Sequence, residues 1–178
     1  AVAVTACPAD HEPPTSDALC AAASEGEIDE VRRVLDLGVS PDARDDDGCG
    51  HALYHACAFG QTECVTLLLA RRALVDLHCE SGATALSVAS LTGQHACVAA
   101  LLGGGARVNE RCELGTTALH ASAACGHLAC ARLLLEAAAD VALADTRGAT
   151  ALHYAASDGR EECAKLLLEA AADPLAVT

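Results

Sequence analysis

Cysteine and histidine side chains can bind a metal ion, and seven of the nineteen in this sequence gather in two short segments. One segment spans eleven residues and the other seven, with these members: His120, Cys125, His127 and Cys130, then His51, His55 and Cys57. Structural zinc sites use closely paired ligands such as Cys-x-x-Cys, and neither segment contains that pair. We therefore predict no metal site and no cofactor, with a thiol- or metal-binding redox module kept as an alternative function.

Four of the eleven cysteines recur at an interval of 33 residues, and we call them the cysteine row: Cys64, Cys97, Cys130 and Cys163. A fixed interval places them at one equivalent position in successive structural units. Equivalent atoms of neighbouring helices lie about 8–10 Å apart, beyond the ~7 Å limit for a disulfide. Since cysteine also behaves as a small buried hydrophobe, the row is predicted to be structural and slow to react.

Other cysteines fall where the chain is expected to turn or to end a helix. Cys79 and Cys112 form a second equivalent pair, Cys125 closes a predicted helix, and Cys7 lies near the start. We predict these four to be more exposed and more reactive. The odd number of cysteines and the lack of a secretory signal pattern favour reduced thiols.

The leucines show the same period. Leu53, Leu86, Leu119 and Leu152 are 33 residues apart, and Leu19 precedes Leu53 by 34. A glycine follows each of the five leucines seven residues later, at Gly26, Gly60, Gly93, Gly126 and Gly159. Periods of this length indicate stacked supersecondary units. Such a stack presents long open surfaces, which suits recognition.

Each period is predicted to form two helices. A threonine directly before Ala-Leu can cap the first helix by accepting an early backbone N–H; Asp17 is expected to do so in the first unit, and His51 is a poor cap in the second. The recurring glycine ends this helix. Several second helices open with acidic residues, which suit a helix N-terminus, and close on a leucine run. The predicted fold class is all-α, with helix-turn-helix units joined by hairpin-like loops.

The phrases Thr117-Ala-Leu-His120 and Thr150-Ala-Leu-His153 resemble the Thr-Pro-Leu-His motif of the ankyrin repeat family. The turn Gly105-Ala-Arg-Val-Asn109 resembles the turn that follows the second helix of that family. The resemblance covers about residues 16–175 and implies a solenoid of five units. It also implies that His120 and His153 join neighbouring units by hydrogen bonds.

The sequence departs from the family pattern at several turns. Alanine replaces the motif proline in all five units, and Cys49 stands where the second unit should carry its loop glycine. Arg72, Ala138 and Ala171 occupy positions where the family has a helix-ending glycine. Because a non-glycine residue in a left-handed cap costs about 1 kcal/mol, these helices either end differently or belong to slightly weakened units.

The resemblance implies one repeat domain after a short lead-in. Residues 1–15 are predicted to be irregular, and the repeats to cover about 16–45, 46–78, 79–111, 112–144 and 145–178. Terminal units normally carry a polar outer face, yet the first and last units keep apolar positions. We therefore predict that the lead-in from Val2 to Pro14, or further repeats, covers at least one end.

The formal net charge of −14 disfavours nucleic-acid binding, which needs a cluster of Lys and Arg. The acids are concentrated early and would steer a basic protein partner; alternatively they only keep an apolar stack soluble. No apolar stretch approaches the ~20 residues that cross a bilayer, and the start lacks the basic residues of a signal peptide. We expect a monomer in the cytoplasm or nucleus, without membrane contact.

No nucleophile elbow, glycine-rich phosphate loop or Cys/His arrangement stands outside the repeat pattern, so no catalytic residue is assigned and no enzyme activity is predicted. The resemblance implies a protein–protein interaction module that binds its partner through a concave groove, built from the turn tips and the ends of the first helices. The predicted partner-binding residues are Phe59, Leu91, Thr92, Leu114, Thr116, Cys125, Arg147, Asp158, Asp47 and Ser81.

Three alternatives stay open besides the thiol- or metal-binding redox module. The segment could recruit substrates for a larger enzyme such as a ubiquitin ligase or kinase assembly, or it could be a structural spacer in a longer array. The third alternative concerns the groove itself. Phe59 and Leu91 could pack onto the next unit as ordinary core instead of facing a partner.

Overall fold

The computed structural model describes residues 15–46, 48 and 50–172. Within them the chain forms ten helices: α1 Ser16–Glu25, α2 Ile28–Asp36, α3 Ala52–Ala58, α4 Thr62–Ala70, α5 Ala85–Thr92, α6 His95–Gly103, α7 Ala118–Cys125, α8 Leu128–Glu136, α9 Ala151–Ser157 and α10 Glu161–Ala172. Consecutive helices pair as units 1 to 5, which confirms the predicted all-α stack of helix-turn-helix units. None of the described helices is long and apolar enough to cross a membrane.

The ten helices form two rows. The first helices of the units pack side by side as an inner row, α1, α3, α5, α7 and α9, and the second helices form an outer row, α2, α4, α6, α8 and α10. One apolar core runs between the rows. The periodic leucines anchor it, since Leu19, Leu53, Leu86 and Leu119 are at most 2% exposed.

Threonine caps three inner helices as predicted. Thr84 Oγ1 accepts the Ser87 N–H at 3.2 Å, and Ser87 Oγ accepts the Thr84 N–H at 2.9 Å. In units 4 and 5 a histidine replaces this serine, and His120 Nδ1 accepts the Thr117 N–H at 3.2 Å. The predicted cap at Asp17 is wrong. Thr15 caps α1 instead by accepting the Ala18 N–H at 3.1 Å.

Asp17 has a different function, one that sequence position alone does not reveal. It lies inside the first turn of α1, and its Oδ1 accepts the backbone N–H of Asp46 at 2.7 Å. The side chain therefore connects the first unit to the loop that precedes α3. His51 begins α3 without a side-chain cap, as predicted.

The helix ends follow the glycine pattern with two strained exceptions. Gly26, Gly93 and Gly126 cap α1, α5 and α7 in the left-handed conformation. Arg72 and Ala138 adopt the same conformation after the outer helices, with φ of 64° and 63°. Ala171 behaves differently because α10 continues to Ala172. Both predicted outcomes for the missing glycines therefore occur, strain in two units and a longer helix in the last.

A tight turn that we call a tip precedes each of α3, α5, α7 and α9. The turn of unit 2 is formed by Gly48, whose φ is 68° and whose N–H donates to Asp45 O at 3.0 Å. The prediction that Cys49 occupies the loop-glycine position is therefore wrong. The glycine comes one residue earlier than the 33-residue period predicts. The one additional residue of this unit lies between Gly48 and α3. Cys49 itself lies outside the described residues.

Candidate functional site

A cleft of about 260 Å³ opens between the inner row and the tips. Its walls come from units 2 to 5 and are lined by Tyr54, Ala83, Ser87, Val88, Leu91, Cys112, Thr116, Thr117, His120, Ala121, Ala124 and Tyr154. Most of these side chains are apolar or small. The cleft can therefore accept an apolar side chain without leaving a buried polar group unpaired.

The two tyrosines come from units 2 and 5, on either side of the units that supply the rest of the lining. Tyr154 donates its hydroxyl proton to Asp145 Oδ2 at 2.8 Å and accepts from Arg147 Nη2 at 2.8 Å. Tyr54 packs edge-on against His55, with ring centroids 5.8 Å apart. These contacts hold both aromatic rings in place, which preserves the form of the cleft before any partner arrives.

The first residue of each tip organises the loop beside the cleft. In unit 5 it is Asp145, whose carboxylate accepts the N–H groups of Ala149 and Arg147, each at 2.8 Å. The hydrogen bonds from Ala149 and Tyr154 lower the pKa of Asp145 to about 2. Asp45 has this position in unit 2, and there its Oδ2 lies 2.8 Å from His55 Nε2.

Cysteine replaces aspartate at this position in the two central units. Cys112 Sγ lies 2.8 Å from Thr116 Oγ1, and Cys79 Sγ lies 3.1 Å from Ser81 Oγ. The central tips thus exchange a carboxylate for a thiol. This removes negative charge from the part of the cleft where the apolar lining is concentrated.

Among the predicted partner-binding residues, Leu91 and Thr116 line the cleft. The side chains of Phe59, Leu91 and Leu114 are 63%, 50% and 67% exposed, respectively. Phe59 follows α3, and Leu114 lies in the tip of unit 4. At these exposures the three side chains do not belong to the core.

The remaining predicted residues lie outside the cleft lining. Thr92 and Asp158 are exposed at the ends of α5 and α9, and Cys125 is half-buried at the end of α7. Ser81 and Arg147 are exposed at the tips of units 3 and 5. Asp47 lies outside the described residues.

The matching family model is described as "Ankyrin repeats (3 copies)", and it matches residues 19–112 and again residues 100–178. The chain belongs to the ankyrin repeat family. A search of curated proteins found no matching relative. Ankyrin repeats are generally protein–protein interaction modules, and their fold is a non-catalytic one.

Of the twelve residues that line the ankyrin cleft, ten are not among the predicted partner-binding residues, and the largest of the ten are Tyr54, Val88, His120 and Tyr154. Tyr54 and Tyr154 carried an available signal, because the chain has one phenylalanine, two tyrosines and no tryptophan. Aromatic side chains that rare are strong candidates for a binding surface. The predicted bridge between units is confirmed for His120, whose Nε2 lies 3.2 Å from Ala149 O of unit 5. It is not observed for His153, which among the described residues bonds only to Thr150 of its own unit.

The cysteine row is buried as predicted, and each member is at most 1% exposed. Cys79 corrects the prediction for the tip thiols, because it is only 6% exposed. Its tip folds back over the side chain and pairs the sulfur with Ser81. Cys112 and Cys125 are half-buried, and Cys7 lies outside the described residues.

Two further histidines bond to backbone carbonyls within the stack. His127 Nε2 lies 3.0 Å from Leu91 O, and His51 Nε2 lies 3.2 Å from Leu77 O. Across the described part of the chain, no three His, Cys, Asp or Glu side chains come together as metal ligands. His51 is fully buried and its Nδ1 has no hydrogen-bond partner. Burial is the main cause that lowers the pKa of His51.

Proposed function

We propose that this ankyrin stack binds a protein partner through the cleft and the neighbouring tips, without chemistry of its own. The observation that carries the proposal is the exposure of Phe59, Leu91 and Leu114 beside a preformed apolar cleft. Large apolar side chains that remain exposed next to a cleft, surrounded by polar groups, are typical of binding hot spots. We refer to the cleft lining together with these three residues as the inner surface.

The charge around the inner surface favours a basic partner. Residues 15–46 contain nine acidic residues and three arginines, so the stack is most acidic at its first unit. Glu80 and Glu113 are exposed at the central tips and form no hydrogen bond or ion pair with a described residue. Such a field attracts a segment that carries Lys or Arg and raises its association rate.

The arginines of the tips are held by contacts within the stack, so their side chains are not free to pair with an acidic partner. Arg44 Nη2 donates to His78 O at 2.6 Å, and Arg111 Nη2 donates to Ala144 O. Arg147 contacts Asp145 and Tyr154. The proposed partner segment therefore combines an apolar side chain for the cleft with basic residues directed toward unit 1.

The test is affinity capture with the whole chain as bait, followed by identification of the bound proteins. We expect Leu114→Asp and Phe59→Ala to lose the partner while keeping the wild-type helicity by circular dichroism. Leu74→Asp is the matched control: Leu74 is 58% exposed, but it lies in the loop after α4, away from the inner surface. It should retain the partner.

Leu134→Ala is the comparison variant, because it truncates a core residue instead of an exposed one. Leu134 is fully buried in α8, so truncation should cost about 2–5 kcal/mol of unfolding free energy and open the stack locally. Should Leu114→Asp or Phe59→Ala melt the protein as severely as Leu134→Ala, the assignment of the inner surface would be wrong. Loss of the partner in Leu74→Asp as well would also contradict it.

A further inference from the structure

The two ends of the stack differ in polarity. In unit 1, Glu30 occupies the position that the cysteine row fills in units 2 to 5. Arg33 pairs with it, and its Nε donates to Glu30 Oε2 at 2.7 Å. The cysteines of the row face the preceding unit, as the 3.4 Å contact of Thr62 Oγ1 of unit 2 with Cys97 Sγ of unit 3 shows. Unit 1 thus presents a charged pair on its outer side, which is how a terminal unit stays soluble.

The outer side of unit 5 is apolar and open. Leu168 is 55% exposed, whereas Leu135 at the equivalent position of unit 4 is 5% exposed. Ala156 is exposed, although the equivalent residues of all four earlier units are fully buried: Ala23, Cys57, Ser90 and Ala123. Leu152 is half-buried, in contrast to the leucines that anchor units 1 to 4. This side of unit 5 therefore has the composition of an interface between units.

Polar groups on the outer side of unit 5 are equivalent to groups that form hydrogen bonds between the earlier units. In three of the four earlier units, a carbonyl at the end of the inner helix accepts a hydrogen bond from a side chain of the next unit: Ser24 O from Gln61 at 3.0 Å, Leu91 O from His127 at 3.0 Å and Ala124 O from Arg160 at 3.0 Å. The equivalent group of unit 5 is Ser157 O, and no described side chain donates to it. His153 Nε2 likewise has no described partner, unlike His120 Nε2 of unit 4.

The glycines at the ends of the inner helices give independent support. A Cβ added at Gly26, Gly60, Gly93 or Gly126 would come closer than 3.0 Å to a side chain of the next unit. At Gly159, no described atom lies within 4 Å of the added Cβ. The apolar area, the polar groups and the glycine of unit 5 thus all match a surface on which another unit stacks.

We propose that the outer side of unit 5 is the docking surface for a sixth repeat unit, which continues the same chain in register after Thr178. The unit would bring a small residue against Ala156, an apolar residue in the position of the cysteine row and a side-chain donor for Ser157 O. The sequence after α10 keeps the loop pattern, since Pro174 and Ala176 stand at the positions of Pro41 and Ala43. This proposal is independent of the inner surface.

A second copy of the chain in head-to-tail contact fits this surface poorly. Its first unit would place the Glu30–Arg33 ion pair where the interior interfaces bury a cysteine, and the desolvation cost of burying an ion pair can exceed the attraction within it. The charged pair that keeps unit 1 soluble therefore also disfavours open-ended polymerisation.

The experiment appends a copy of residues 113–145 directly after Thr178 of the full chain. Thr178 stands at the position of Cys112, so the copy continues the repeat without a shift in register. We expect hydrogen exchange in α9 and α10 to slow by about tenfold or more and the midpoint of urea unfolding to rise. The helical content should increase by the amount that one folded repeat unit contributes. One repeat does not fold alone, so an appended copy that stays unfolded would overturn the proposal.

The matched control carries glutamate at the copied position of Cys130, reproducing the Glu30 arrangement of unit 1. It should leave exchange in α9 and α10 at the rate of the natural chain. If the control protects these helices as well as the unmodified copy, the contact is not the interface proposed. Sedimentation of the natural chain distinguishes the other occupant: a dimer that Leu168→Glu dissociates would show that a second copy covers this side, and the proposal would be wrong.

Discussion

His51 departs from the repeat pattern, and the departure changes the physical behaviour of this position. It stands where the later units have the capping threonine, and it buries an imidazole in exchange for one bond to Leu77 O. Since Nε2–H donates to that carbonyl, a second proton would reside on Nδ1, which has no acceptor. His120 is also buried, and burial is the main cause that lowers its pKa. Both side chains are therefore held neutral by the fold.

A pH dependence of stability follows from these two histidines. In the unfolded chain they titrate near 6.5, and in the folded chain at lower pH. The unfolded state therefore binds more protons below pH 6.5, and the unfolding free energy should fall as the pH drops from about 7.5 to about 5.5. Urea midpoints at the two pH values measure this fall, which should be smaller in His51→Thr. An equal fall in that variant would show that His51 does not contribute.

The cysteines should differ in thiol reactivity because they differ in burial. Burial and the nearby Asp45 and Asp17 raise the pKa of Cys20 to about 12, and burial raises that of Cys130 to about 11. The hydrogen bond with Cys57 lowers the pKa of Cys97 to about 7, but this thiol is fully buried, so burial governs its reactivity. With limiting N-ethylmaleimide, we expect Cys112 and Cys125 to be labelled first, and Cys79 to be as slow as the cysteine row. Site-resolved mass spectrometry gives the order. Early labelling of the row in folded protein would show that the repeat register is misassigned.

The helices and their ends are the elements that the sequence predicts best. Period, caps and glycines placed the helices because each of these signals acts within one or two turns of backbone. Three predictions failed. The cap at Asp17 failed because of a distant contact, since its carboxylate accepts the Asp46 N–H. The other two failures lie in the tips, whose local shape the period does not define: Cys79 is buried within its own tip, and the glycine of unit 2 is displaced to Gly48.

The alanine in the left-handed conformation after α8 should be strained, and replacing it with glycine should relieve that strain. Ala138 has φ of 63°, a conformation that glycine adopts without steric cost. Ala138→Gly should raise the unfolding free energy by up to about 1 kcal/mol. Ala123→Gly, within α7 and fully buried, is the control and should lower it by about 0.5–1 kcal/mol or more. Equal destabilisation by both substitutions in urea titrations would contradict the assigned conformation of Ala138.

At the scale of the whole molecule, stacking explains why the fold could be predicted and the binding surface only in part. Because every unit contacts only its neighbours, one correctly assigned repeat defines the architecture of the whole stack. The inner surface instead depends on residues that differ between units, such as Tyr54, Leu91 and Tyr154. The period assigns these residues to equivalent positions, but their contacts arise only when four units pack together.

A hydrogen-exchange footprint of the whole chain in complex with its captured partner shows directly whether the inner surface is the recognition site. We expect slower exchange at the tips around Ser81 and Leu114 and along α5 and α7, with exchange in the outer helices α6 and α8 unchanged. Protection confined to α6 and α8, with the tips exchanging as in the free chain, would show that the partner binds the opposite side of the stack and that the inner surface is not the recognition site.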